Sequence, residues 1–295
     1  FPAIEEAVRR AEEHVHFQFY IWQPDEVGTR FRDLLAEKAA EGVEVRVLYD
    51  AWGVAPGRSE LMEPIVEEGG QVAPFLPVNL FERRLRINFR NHRKIVVVDG
   101  EVGFTGGINI GEEYNEWLDL AFRLEGPVVW QLQEVFADDW FYATDENLAD
   151  PRYFADVEPE RFEAEAAARQ DQDAAHDAVA RVVTSGPDHP RSIIQSIFFL
   201  AITSARDRVW IMTPYFIPDQ AILTAIQTAE LRDVDVRIML PSASDVPVAQ
   251  AAGRSYYQEL LDVGARIFEY QETMLHAKAM IIDDDLDDPS LLLEQ

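Results

Sequence analysis

The pattern His-x-Lys-x4-Asp occurs twice in this chain, as His92, Lys94 and Asp99 in NHRKIVVVDG and as His276, Lys278 and Asp283 in LHAKAMIID. The second copy follows the first by 184 residues, and longer stretches repeat at nearly the same interval. AEEHVHFQFYIW from Ala11 resembles ARDRVWIMTPYFIP from Ala205, and VEVRVLY from Val43 resembles VDVRIML from Val234. A repeat this long is a duplicated domain, because the units of a solenoid are much shorter. The chain must therefore fold as two similar halves, each carrying one copy of the motif in an equivalent place.

Local patterns say what each half is made of. VHFQFYI, from Val15 to Ile21, is β-branched and aromatic and reads as a buried strand. Phe31 to Glu41 has helical spacing and stops at Gly42, a residue suited to a helix C-terminus. VEVRVLYD, from Val43 to Asp50, alternates as a strand does; a helix over Ser59 to Glu68 ends at Gly69-Gly70, and a strand begins at Gln71. Strand–helix alternation predicts an α/β fold: two tandem domains, each a mostly parallel sheet flanked by helices. The predicted boundaries are 1–142 for the first domain, 143–180 for a connection with one short helix, and 181–295 for the second. The connection carries eleven acidic and three basic residues, the composition of a solvated surface.

With 295 residues, 47% of them apolar, the chain can bury two cores. It has no cysteine, which excludes disulfides and thiolate metal sites. No run reaches the ~18 apolar residues that a membrane span needs. The net charge is −28, with few lysines among the cations, and such a surface repels nucleic acid at long range. An acidic, lysine-poor surface suits high salt, where repulsion is screened.

The chemistry lies in the repeat, which holds two of the chain's three lysines. Residues i and i+2 of a strand share a face, so His92 lies beside Lys94, and His276 beside Lys278. Two imidazoles and two ammoniums fit phosphoryl or phosphatidyl transfer. One neutral imidazole attacks phosphorus and forms a phosphohistidine. The other, protonated, gives its proton to the leaving alcohol and later takes one from the acceptor. The lysines neutralise the non-bridging oxygens, and no metal or other cofactor is required. Asp99 and Asp283 complete the catalytic sextet, although their places at strand ends suit bonding to turn amides. In TGGINIGEEY, Gly106 and Gly107 permit a close backbone approach and Asn109 carries an amide for a phosphate oxygen. Asp119, on an expected strand, either orients an imidazole through Nδ1 or is an ordinary edge carboxylate; it is grouped here with the His92 set.

These residues resemble the phospholipase D superfamily. The paired motifs, the Gly106-Gly107-x-Asn109 run and the Glu125-Gly126-Pro127 tripeptide carry the broad likeness. The finer likeness is to bacterial cardiolipin synthases, through NFRNHRKIVVVDG, TGGINIGEEY, VTSGPD, TPYFIPDQAIL, RSYYQELLDVGARIFEY and MLHAKAMIID. The resemblance implies two phospholipase-D-like domains with one shared active site at their interface. It implies transfer of a phosphatidyl group between two phosphatidylglycerol molecules, yielding cardiolipin and glycerol. In that family the N-terminal histidine attacks, which assigns attack to His92 and acid–base work to His276. Members also carry membrane-anchoring helices and a strand before the position of Phe1, and a Gly-Ser-x-Asn run after the second motif. The resemblance therefore leads one to expect sequence on both sides of this chain, and a location at the cell membrane.

Access to the site also has a sequence signal. Between Glu82 and Lys94 stand six basic residues and one acid, including Arg90, preceded by Phe75, Leu76, Leu80 and Phe81. Apolar side chains followed by arginines suit a membrane surface and the headgroups of anionic phospholipid. SIIQSIFFLAITSA, from Ser192 to Ala205, is too short to span and reads as a core helix, with a membrane-dipping helix as the other reading. Two other functions share these residues: hydrolysis of the same intermediate by water, and lipid binding without turnover.

Overall fold

The computed structural model describes residues 1–51, 53, 59–75, 91–154, 179–185 and 193–283, together with the backbone of 290–293. The chain divides into two compact units, one of Phe1–Tyr114 and Ala121–Val182, the other of Asn115–Leu120 and Val183–Gln295. The hexapeptide 115–120, which the sequence leaves inside the first domain, thus groups with the second unit. The expected acidic connection falls mostly outside the described residues.

The first unit is a six-stranded sheet with helices on both faces. In chain order its elements are α1 (Pro2–Arg10), β1 (His14–Phe19), α2 (Glu26–Ala40), β2 (Glu44–Asp50), α3 (Glu63–Glu67), β3 (Gln71–Phe75), β4 (Ile95–Val98), β5 (Val102–Gly106), β6 (Ala121–Glu125) and α4 (Val128–Thr144). The sheet order is β3-β2-β1-β4-β5-β6. Strands β1 to β3 run parallel, while β4, β5 and β6 run antiparallel to their neighbours. The sheet is mixed rather than mostly parallel. Helical crossovers enforce parallel pairing, but β5 follows β4 through a hairpin turn at Asp99-Gly100, where φ is +52° and +68°.

Strand β1 is buried along its whole length. Its alternation sends Val15, Phe17 and Phe19 into a core with α1, α2 and α3, packed with Val8, Phe31, Leu35 and Ile65. The opposite face packs under α4 through Ile95, Val97, Leu132, Phe136 and Trp140. Each such fully buried side chain contributes about 1.5–3 kcal/mol. Helix α2 starts earlier than its apolar spacing suggests, because the Asp25 carboxylate accepts from Gly28 N at 2.9 Å and caps it.

The second unit repeats the plan: α5 (Ile193–Ser204), β7 (Arg208–Met212), α6 (Gln220–Glu230), β8 (Asp235–Pro241), α7 (Pro247–Arg254), α8 (Tyr257–Val263), β9 (Arg266–Tyr270), β10 (Ala279–Ile282) and β11 (Ser290–Leu293). Its sheet order is β11-β10-β7-β8-β9, again parallel through β7, β8 and β9 and antiparallel at β10. Its core joins Ile202, Val209, Leu223, Ile226, Val236, Ile238, Leu260 and Met280. The expectation of a core helix over 192–205 is met by one stripe only. Ile202 is buried and Phe198 packs beside it, while Phe199 and Leu200 are exposed. No helix among the described residues is long and apolar enough to cross a membrane.

The motif aspartates do the same work in both units. Asp99 accepts from the amides of Glu12, Glu13 and His14 at 2.8–2.9 Å, and Asp283 accepts from those of Arg206, Asp207 and Arg208 at 2.8–3.1 Å. Each sits at positive φ, which Asp tolerates better than most residues, and each ties the end of a central strand to the start of its neighbour. Burial raises the Asp283 pKa, but the three amides outweigh it and hold the carboxyl below its ordinary value. The carboxylate oxygens of both aspartates are thus engaged by backbone amides. Asp99→Ala is expected to cost about 2 kcal/mol in urea unfolding, since it strands amide donors at the edge of the core.

Candidate active site

Neither motif histidine lies on a regular strand. His92 and Lys94 precede β4, and His276 and Lys278 precede β10. Because β4 and β10 run antiparallel to β1 and β7, these lead-ins stand at the carboxyl ends of the parallel strands. That is where α/β sheets place ligands.

In the first unit the residues flanking His92 are gripped from below. The buried Asp139 carboxylate on α4 accepts from Asn91 Nδ2 at 2.7 Å, from Gln18 Nε2 at 2.7 Å, and pairs with the Arg93 guanidinium. Asp50, at the end of β2, accepts from Asn91 N at 3.1 Å. His92 between them is exposed, and its ring stacks on Tyr20 with centroids 3.9 Å apart and planes 18° from parallel. Lys94 is buried and donates from Nζ to the His92 carbonyl at 2.6 Å. The pair shares one locality, as i and i+2 spacing predicts. The Gly106–Asn109 run leaves β5 at this same end of the sheet. Gly107 is buried, and Asn109 accepts from Ile21 N at 3.2 Å through its Oδ1, an orientation that reserves the amide NH2 for other acceptors.

In the second unit the hexapeptide 115–120 pairs with the lead-in to β10. Leu118 N donates to Met274 O at 2.8 Å, and the amides of His276 and Ala277 donate to Leu118 O at 2.9 and 3.0 Å. This pairing seats Asp119 Oδ2 2.7 Å from His276 Nδ1, with both side chains largely shielded from solvent. Asp119 is thus placed against His276, and it lies after an isolated bridge at Leu118 rather than on a strand. The carboxylate engages Nδ1, and the other ring nitrogen is Nε2. Lys278 Nζ stands 3.1 Å from that Nε2 and donates to the His276 carbonyl at 2.7 Å. Trp117 and Tyr215 pack around the ring at 5.2 and 6.4 Å between centroids, and the Tyr215 hydroxyl donates to Asp245 at 2.8 Å. Burial and Asp245 raise the Tyr215 pKa, so the hydroxyl keeps its proton.

Arg90, with most of the basic stretch from Glu82, lies outside the described residues. Sequence reasoning did not reach Tyr20, Asp50, Asn91, Asp139 or Tyr215. A signal for the tyrosines was present: FYIWQPD and PYFIPD each put a tyrosine and a Pro-Asp pair after the first strand of a half. Nothing comparable marks Asp139, an acidic residue among others on a helix.

Known proteins resemble this chain in sequence and in fold. A family described as "Cardiolipin synthase, PLD-like domain" matches residues 4–140 and 199–287. Cardiolipin synthase 2 of Bacillus anthracis is 41% identical over 97% of this chain and 54% of its own length. Cardiolipin synthase of Geobacillus thermodenitrificans is 38% identical over 97% of this chain and 56% of its own length. The chain spans about half the length of the curated relatives it matches. Among solved structures, the phosphatidylserine synthase of Haemophilus influenzae superposes with a TM-score of 0.62 at 15% identity, covering 96% of this chain and 73% of that one. The likeness to that structure is one of fold.

Proposed function

From a chain that belongs to the cardiolipin synthase, PLD-like domain family, we propose an enzyme that moves a phosphatidyl group from one phosphatidylglycerol to another. His92 Nε2 attacks the phosphorus of the first lipid, forming a P–N bond as the P–O bond to glycerol breaks. His276, protonated, delivers its Nε2 proton to the departing glycerol oxygen. The hydroxyl of the second phosphatidylglycerol then gives its proton to His276 and attacks phosphorus, releasing His92 and forming cardiolipin. Asp119 holds His276 in the tautomer that both proton transfers need and stabilises the imidazolium. Lys94 and Lys278 offset the charge that builds on the non-bridging oxygens, and Asn109 and Gly107 receive the same phosphate. Arg90 and the apolar residues before it hold the chain to an anionic bilayer surface, against the repulsion of its net charge.

The observation that carries this reading is the duplicated half-site. In each unit a lysine two residues past the histidine folds its ammonium onto that histidine's carbonyl, at 2.6 and 2.7 Å. The same chemical pair is therefore built twice, as a reaction with an attacking and a protonating imidazole requires.

Labelled phosphatidylglycerol in mixed micelles tests it, with products followed by mass spectrometry. Cardiolipin and glycerol in equal amounts are expected. Phosphatidic acid with glycerol would show water as the acceptor and sink the transferase reading.

A further inference from the structure

We infer that Tyr20 is a positioning residue for the attacking imidazole, an inference that rests on the role given to His92 above. Three observations meet at this side chain. Its ring lies flat on the His92 ring, centroids 3.9 Å apart and planes 18° from parallel. The Lys94 ammonium stands 5.6 Å from the centroid of the same ring, so one aromatic side chain touches both active members of the motif. The Tyr20 backbone is itself seated: a Cβ on Gly53 would come within 1.7 Å of the Tyr20 carbonyl oxygen, and Asn109 holds the amide of the next residue, Ile21.

Strand register brings the segment of this residue alongside that of His92. Strands β1 and β4 pair antiparallel with Gln18 opposite Ile95, and counting on past that pair sets Tyr20 opposite Arg93, one residue from His92. In the second unit β7 and β10 pair with Met212 opposite Ala279, and counting on past that pair sets Tyr215 opposite His276. There the contact is edge to face, at 6.4 Å and 82°. A tyrosine ring thus borders the motif imidazole in both units, from neighbouring rather than identical positions of the repeat.

The physical role follows from the contact. His92 is an exposed side chain, and an exposed imidazole samples several ring tilts. Attack on phosphorus requires the nitrogen lone pair to point along the line of the breaking bond, and misplacement by about 1 Å can cost 10²-fold. A stacked ring holds the imidazole by one face, limiting its tilt while leaving its nitrogens at the edge to react. Tyr20 thus sets the tilt of the His92 ring through a neutral contact.

The test compares Tyr20→Leu, which removes the ring, with Tyr20→Phe, which keeps it, in the whole chain. Tyr20→Leu is expected to lower kcat about 10- to 100-fold with KM changed less than about threefold, and to slow formation of the phosphohistidine at His92; Tyr20→Phe stays within about threefold of the parent. An unchanged kcat in Tyr20→Leu, a loss confined to KM, or an equal loss in Tyr20→Phe overturns the inference. A substrate-free readout separates it from the functional reading. Carbethoxylation of His92 by diethyl pyrocarbonate, followed by mass spectrometry, is expected to be several-fold faster in Tyr20→Leu and unchanged in Tyr20→Phe. Equal rates in all three chains overturn the inference whatever the lipid chemistry. A parent chain that shows this protection but makes no cardiolipin loses the transferase reading and keeps the stack. Should Tyr20→Leu fail to fold, Tyr20→Met is read the same way.

Discussion

His92→Ala is expected to lower phosphatidyl transfer about ten-thousandfold or more, because it removes the atom that forms the covalent intermediate. The fold should not notice. His92 is exposed, and its segment is held by the side chains of Asn91 and Arg93 on Asp139. Loss at such a surface position is expected within about 0.5 kcal/mol of the parent in urea unfolding. A phosphohistidine should appear at residue 92 when the parent is quenched with labelled phosphatidylglycerol, and be absent in the variant. The His276 arm predicts a different pattern. Asp119→Asn leaves the shape but loses the tautomer control, and a fall of roughly 10²- to 10⁴-fold is expected. A label recovered on His276 instead of His92 would reverse the two assigned roles.

The second large effect is on stability in acid, and it comes from residues with no part in the proposed chemistry. His14 and His16 lie on the α4 face of β1, 2% and 0% exposed, with rings 4.7 Å apart. His16 stacks on Phe136 at 4.5 Å and its Nδ1 lies 2.9 Å from Gln133 Oε1. Burial pushes the His14 pKa down from 6.5 to about 4; Asp99 and Glu44 oppose that shift, and Arg46 and Arg152 add to it. Burial, the neighbouring His14 and the same arginines hold His16 well below its ordinary value, against the bond to Gln133. A folded-state pKa below the unfolded one means the unfolded chain binds more protons as pH falls. The stability is whole above the unfolded pKa of 6.5 and is lost as pH drops from there through about 4. His14 alone accounts for about 3 kcal/mol, and His16 adds to it. Against a domain stability of roughly 5–15 kcal/mol this is a large share. Urea unfolding at about pH 7 and about pH 4.5 measures it. The double variant His14→Phe/His16→Leu should flatten most of the pH slope between those points; a slope equal to the parent's would place the acid sensitivity in the carboxylates instead.

Much of this was legible in the sequence. The duplication, the central strands and the two His-Lys pairs are visible because each is local. Apolar residues at strand spacing bury themselves whatever surrounds them, and i and i+2 side chains lie on one side of an extended chain. The family resemblance rests on the same short runs. The mixed sheet was less visible, since the helices that force parallel pairing are periodic and easily seen, while the hairpin reversing β4 against β5 turns on two residues, Asp99 and Gly100. The helix over 193–204 misled for a related reason: its composition is that of a core, but one stripe alone finds a partner.

What the sequence determined by itself was which chemical groups the chain offers and that it offers them twice. What the tertiary structure decided was which groups serve which histidine. Asp119 stands 157 residues before His276 and meets it because the hexapeptide 115–120 pairs with the second unit's chain. Asp139 grips Asn91 across 48 residues, and the Tyr20 ring stacks on His92 because β1 and β4, distant in sequence, lie side by side. Register is fixed by how two faces of a whole sheet pack against their helices, a sum over many distant contacts. No window of the sequence contains that sum, so the residues that orient the two imidazoles became visible only once the chain was folded.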